Sequence, residues 1–286
     1  MIELLDRLLA LSLDDLHKTS KKSVPEGNPG ELAIFTATEL LHQVFGKEWI
    51  NQKILTLKAR MFLQDQNRDF RGEAKLMNLI QMLGEGLFNL RCIKGFENIL
   101  EKMATDNIDA ALAEIESGRL LKHQGIQFHF VKRTGIKRQD YDIQISDRGA
   151  EICCETKFKI EGTKFSSKVF EDNLSQGKKQ LPLDKPSLLL VKVPTEWTNH
   201  EPEVIASARK IVDKTKRPFG IVCWRESWHT RNGDVELKYI TGFESHNELG
   251  LMHFKPVLPF LPNNVRDKNW TDFAMFSDFV GKLHRV

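Results

Sequence analysis

The sequence predicts an α/β fold of the α+β kind: a mixed β-sheet flanked by helices, preceded by an α-helical N-terminal region. Three observations carry this. Residues 1–104 are rich in Leu and Met at helical spacing, with few alternating stretches. From about residue 105, helical and alternating segments follow one another as α-β-β-β-α-β-α-β-β, the order of helices packed on a mixed sheet. The runs "PSLLLVKVP" (186–194) and "FGIVCW" (219–224) are almost wholly apolar, as in strands buried on both faces. The chain therefore divides into a helical region, 1–104, and a sheet-bearing domain, 105–286.

Each element has a local reason. Residues 1 to 17 bring Ile2, Leu5, Leu8 and Leu9 near helical spacing, and "TSKKSVPEGNPGE" (19–31) is a loop punctuated by Pro and Gly. Helices are expected over 31–46 and 49–66, with one or two more in 72–104. No catalytic motif stands in this region, and Lys53, Lys58, Arg60, Arg68 and Arg71 read as solvated helix faces. In "TDNIDAALAEIESGRLLKHQG" (105–125), Thr105 or Asp106 suits the N-cap, Asp109 suits the first turn and Gly125 the stop. "IQFHFVK" (126–132) alternates, with Ile126, Phe128 and Phe130 on one side, and so reads as a strand. Helices follow at 169–181 and 202–215, and a further strand at 235–245. "PVLPFLPNN" (256–264) is irregular, and a last helix is expected over 271–284.

The chain has 286 residues, 41% hydrophobic and 28% charged, with a net charge of +3. That is ordinary for a globular protein and too weakly basic to argue for nucleic acid by itself. Cys92, Cys153, Cys154 and Cys223 form no C-x-x-C pair, which argues against zinc and for reduced thiols in the cytoplasm. The N-terminus lacks the basic start and cleavage site of a signal peptide, and no apolar run is long enough for a membrane partner. There is no Walker A sequence, no G-x-G-x-x-G and no G-x-S-x-G, so nucleotide hydrolysis, dinucleotide binding and serine hydrolase chemistry have no support.

The informative stretch is "RQDYDIQISDRGAEICCETKFK" (138–159), which reads as a β-hairpin. With Ile145 facing Ala150, Asp140 lies opposite Glu155 and Asp142 opposite Cys153; a two-residue shift sets Asp142 opposite Glu155 instead. Either register puts Asp140, Asp142, Glu155 and Lys157 on one face, with Tyr141, Ile143, Ile145, Ile152, Cys154 and Phe158 on the other. Like charges across a strand pair destabilise a sheet unless a cation lies between them, and carboxylate oxygens suit Mg²⁺. A lysine beside them can steady a water or a phosphate. These residue types suit metal-assisted phosphodiester hydrolysis.

In this order of elements, with "RQDYD" on the second strand and "ETK" (Glu155, Thr156, Lys157) on the third, the sequence resembles the PD-(D/E)XK nuclease superfamily, which has the restriction-endonuclease-like fold. Gln139 stands where that family has its proline. The resemblance covers roughly 105–195 and does not reach the first 104 residues. It implies that Asp140 or Asp142 is the central metal ligand, with Asp140 the better match, and that Glu155 is the second. Lys157 would position water or stabilise developing charge, and Glu114 or Glu116 would complete the acidic cluster. Gln176 or Gln180, with Gln180 favoured, would be the glutamine that several branches carry after the lysine.

The function expected is therefore a Mg²⁺-dependent (or Mn²⁺-dependent) nuclease acting on DNA, with RNA open as a substrate and a homodimer open as an assembly. The alternative is a catalytically inactive module of the same fold that binds nucleic acid or protein. Lys164, Lys168, Lys178 and Lys179 are the expected contacts to phosphates. "CWRESWHT" (223–230) gathers aromatic and basic residues and reads first as a packing cluster at a strand end.

Overall fold

A computed structural model describes residues 2–24, 29–64, 70–105, 108–136, 138–147, 149–231, 234–254, 271 and 273. The chain is mixed α/β with one six-stranded sheet. Six helices come first: α1 (Ile2–Ala10), α2 (Leu13–Ser20), α3 (Pro29–Phe45), α4 (Lys47–Gln64), α5 (Phe70–Leu90) and α6 (Glu97–Ala104). The single helix expected over 1–17 is two, because the Ser12 hydroxyl accepts from Asp15 N–H and caps a new start. Thr105 closes α6 instead of opening the next helix, and Asp106 lies outside the described residues.

The rest keeps the expected order, with two unexpected additions, a short 3₁₀ helix (Thr195–His200) and α10 (Glu248–Phe254): α7 (Ile108–His123), β1 (Phe128–Phe130), β2 (Ile143–Asp147), β3 (Ala150–Phe158), α8 (Ser167–Gln180), β4 (Ser187–Lys192), α9 (Glu201–Asp213), β5 (Phe219–Arg231) and β6 (Asp234–His246). Gly125 ends α7 with φ of 66°. Ile126 N–H donates to Leu121 C=O and Gly125 N–H to Lys122 C=O, the two bonds of a Schellman stop. Strand order is β1-β2-β3-β4-β5-β6. The first three strands are antiparallel, β3, β4 and β5 run parallel, and β6 returns antiparallel.

Helices cover both faces of the sheet. On one face Ile143, Ile145, Ile152, Cys154, Leu188 and Leu190 join Leu8, Leu40, Leu83 and Leu112 in one apolar core, so the helical region and the sheet share their largest core. On the other face Cys153, Leu189, Val191 and Ile221 pack with Phe170 and Leu174 of α8 and Val204 and Ala208 of α9. Phe273 is fully buried in the first core, and His17 Nε2 lies 3.0 Å from its carbonyl. The proline-rich 256–264 segment and nearly all of the expected last helix lie outside the described residues, as do the side chains of Lys58, Arg60, Arg68, Arg71, Trp228 and His229. Among the described residues no helix is long and apolar enough to cross a membrane.

The edge of the sheet at β1 is closed by the 93–95 loop, where Phe130 N–H donates to Lys94 C=O. Gly95 makes this approach possible: its φ is 85°, and a Cβ there would stand 2.0 Å from Phe130 O. Gly95→Ala should therefore destabilise the protein by about 2 kcal/mol or more. It should also speed amide exchange at Phe130. Urea denaturation with hydrogen exchange reads both effects.

Candidate functional site

The hairpin takes the shifted register. Asp147 pairs with Ala150, Ile145 with Ile152 and Ile143 with Cys154. Gly149 turns the chain with φ of 78°. The ladder continued one residue back sets Asp142 opposite Glu155, and Asp142 N–H donates to Cys154 C=O at 3.0 Å. The Ile145–Ala150 pairing is thus corrected by a tighter turn. Tyr141 is a second correction: it packs in the α8 and α9 core, beside Cys153, and its hydroxyl donates to Gln144 Oε1 at 2.8 Å. The strict alternation of β2 begins only at Ile143, so the residues before it do not follow the pleat.

Three acids meet here. Glu114 of α7, Asp142 and Glu155 are 1%, 1% and 0% exposed. Asp142 Oδ2 accepts from Thr156 N–H and Thr156 Oγ1, both at 2.9 Å. Its Oδ1 accepts from Arg133 at 3.0 Å, and Lys102 Nζ stands 3.8 Å away. Burial would raise the Asp142 pKa, but the Lys102 and Arg133 charges and the Thr156 N–H hold it below the ordinary value. Asp142 is therefore the fixed charge of the cluster.

Its two neighbours behave oppositely. Burial, then the Asp142 charge, pushes Glu155 up to about 8 despite Lys157. Burial and Asp142 also push Glu114 well above its ordinary value, against the pull of Lys102. Glu114 thus lies near enough to Asp142 to feel its charge. Lys102 Nζ donates to Glu114 Oε1. The other oxygen of each glutamate, Glu114 Oε2 and Glu155 Oε2, is buried with no hydrogen-bond partner among the described residues.

Lys157 Nζ donates to Glu155 Oε1 at 2.5 Å and to Gln180 Oε1 at 3.0 Å. An ammonium has three donors, and the described residues take two of those of Lys157. The ion-pair geometry and the raised Glu155 pKa pull in opposite directions. Burial decides: Lys157 is part-exposed and screened, whereas Glu155 is not. The glutamate is mostly protonated near neutral pH when no further cation is present. Gly177 lets α8 lie this close, since a Cβ there would stand 3.1 Å from Lys157 Cε and 2.9 Å from Leu189 Cδ2.

Other expected residues fall elsewhere. Asp140, the favoured ligand, has its Oδ1 taken by Thr134 N–H at 2.6 Å and Thr134 Oγ1 at 2.8 Å, so it closes the 133–140 loop. The correction is that Asp142, not Asp140, faces Glu155. Glu116 pairs with Lys192 at 2.8 Å and Arg119 at 3.2 Å, away from Asp142, and Gln176 is exposed. Lys164 and Lys168 flank the start of α8, while Lys178 and Lys179 sit in its last turn. A helix of 14 residues is about 21 Å long, so the four lysines do not make one patch. Lys178 has Arg217, Lys179 and Lys214 near it, at the end of α8 that also carries Gln180.

Sequence reasoning missed Lys102, Arg133 and the Thr156 hydroxyl. Only Thr156 had a signal, as the middle residue of "ETK". Among the described residues, no group of three or more His, Cys, Asp and Glu side chains is arranged to hold a metal ion. The side-chain donors of the three acids are all oxygens, the atom type that a hard divalent ion takes, and one oxygen of each glutamate is buried with no partner among the described residues. Comparison of the chain with protein-family models, with curated proteins and with solved structures finds no match.

The Glu155 shift fixes a sign. The folded protein holds this proton between the ordinary value of 4.5 and about 8, where the unfolded chain has released it. Glu155's contribution to stability therefore falls as pH rises through that window. In metal-free buffer Glu155→Gln should remove this share of the slope and exceed the wild-type Tm by about 5 °C near pH 8.5, for an effect of roughly 2 kcal/mol. Parallel Tm profiles for the two proteins would show that Glu155 is ionised throughout.

Proposed function

We propose that the protein is a metal-dependent nuclease with a restriction-endonuclease-like core, hydrolysing DNA phosphodiester bonds with Mg²⁺ or Mn²⁺. The observation that carries this reading is Glu155 Oε2: buried, without a partner, beside the Asp142 charge and two residues before Lys157. As a carboxylate this oxygen lacks a donor, and as O–H it lacks an acceptor. A divalent cation would satisfy it. The order α7-β1-β2-β3-α8-β4, with Asp142 before β2 and Glu155 and Lys157 on β3, supports the same reading.

Glu155 and Asp142 would hold the ion, and Glu114 would complete the acidic set. When bound, the ion would lower the pKa of a coordinated water and offset charge on the phosphoryl oxygens. Thr156 keeps Asp142 in place through two hydrogen bonds. Gln180 orients the Lys157 ammonium, whose remaining N–H can meet the attacking water or a non-bridging phosphate oxygen. Lys178 and Lys179 would meet the phosphate backbone at that end of α8.

One observation favours the alternative, an inactive module of the same fold. Lys102 and Arg133 already compensate Asp142 from within the protein. A cleavage assay separates the two. With plasmid and short single- and double-stranded DNA, Mg²⁺ or Mn²⁺ should support cutting that EDTA abolishes. Glu155→Ala, Lys157→Ala and Asp142→Asn should each lower the rate by about a hundredfold or more, whereas Asp140→Asn should stay near wild type. Cutting that survives in Glu155→Ala and Lys157→Ala would reject this site, and DNA binding without cutting in any metal would favour the module.

A further inference from the structure

Among the described residues, Lys102 is the group that the N-terminal helical region supplies to the site. It stands in the last turn of α6, which packs against α7. Trp49 of α4 ties down the next residue by donating its indole N–H to Met103 C=O at 2.8 Å. The Lys102 side chain is 13% exposed, and its Nζ bonds Glu114 and stands 3.8 Å from Asp142. A compact monovalent cation thus occupies the space between two of the three acids, in the position where a divalent ion would draw on the same oxygens. Glu155, out of reach of these contacts, keeps its partnerless oxygen.

We infer that Lys102 is a resident competitor cation: it holds Glu114 and Asp142 together in the metal-free protein and has to swing away for a divalent ion to take their oxygens. This rests on reading the cluster as a cation site. Chemistry supports the exchange. An ammonium on a four-carbon stem makes adaptable point contacts, unlike the fixed fork of Arg133, so it can leave without moving the backbone. Its contact with solvent gives it somewhere to go. The dication brings twice the charge to the same two carboxylates and wins once its concentration is high enough. The helical region thereby sets how much free metal the site requires. Lys102 is a positioning residue in this scheme and need not touch the substrate.

Two measurements test it. Titration calorimetry with Mn²⁺ alone on the full chain should show Lys102→Met binding about tenfold or more tightly than wild type, with Lys102→Arg no tighter than wild type. Reductive methylation followed by peptide mass spectrometry on the wild type should show Lys102 reacting several-fold faster with Mg²⁺ on the order of 10 mM than with EDTA. The labelling experiment needs no variant, so a Lys102→Met protein that fails to fold does not block the test. Equal Mn²⁺ affinity in wild type and Lys102→Met, or a Lys102 reactivity unchanged by saturating metal, overturns the competition while leaving the cation site standing. No Mn²⁺ binding by either protein overturns both.

Discussion

Burial of the Glu155 carboxyl, in a place where neither of its protonation states is satisfied, is the constraint on which the rest of the structure depends. Ionised, it sits without exposure beside Asp142; protonated, it carries an O–H whose partner is missing. Such a group persists only if the surrounding fold over-determines it. The parallel pairing of β3 with β4 aligns Glu155 with Leu189, and α8 closes over it through Gly177. Both of these neighbours are apolar or lack a side chain, so neither offers Glu155 a donor. Among the described residues its side-chain donor is Lys157, which also leans on Gln180.

The charges around this point are divided by role. Asp142 has both oxygens engaged and stays ionised, while Glu114 and Glu155 are pushed toward the protonated form. Environments that drive neighbouring carboxyls apart in this way are typical of sites that exchange protons or cations, although structural ion pairs perturb pKa values too. Lys102, Arg133 and Lys157 pair with these acids at the site itself, and two further sets of ion pairs lie away from it. Glu116 with Lys192 and Arg119, and Glu161 and Glu196 with Lys75, tie α7 and α5 to the C-terminal ends of β3 and β4. They position the helical region whose last helix carries Lys102.

Much of the sheet was legible because its signals are local. Apolar runs named β4 and the start of β5, alternation named β1, and the E-x-K spacing placed Glu155 and Lys157 on one face of β3. Gln180 was legible as a polar residue at the end of the helix that follows. The choice between Asp140 and Asp142 was not, because it depended on a turn two residues tighter than expected and on Thr134 capturing Asp140. Lys102 was invisible for a different reason. Its approach to Asp142 spans forty residues and depends on how α6 packs on α7, and nothing in "ENILEKMA" marks it. Tertiary packing, not pattern, brings it to the site.

The most direct test of the cation site is a crystal soaked in Mn²⁺ and measured for anomalous scattering. The expected result is a peak within about 2.2 Å of Glu155 Oε2 and of an Asp142 or Glu114 oxygen, with Lys102 displaced. A map without that peak, in which Glu155 Oε2 keeps no partner and Lys102 stays on Glu114, would contradict it.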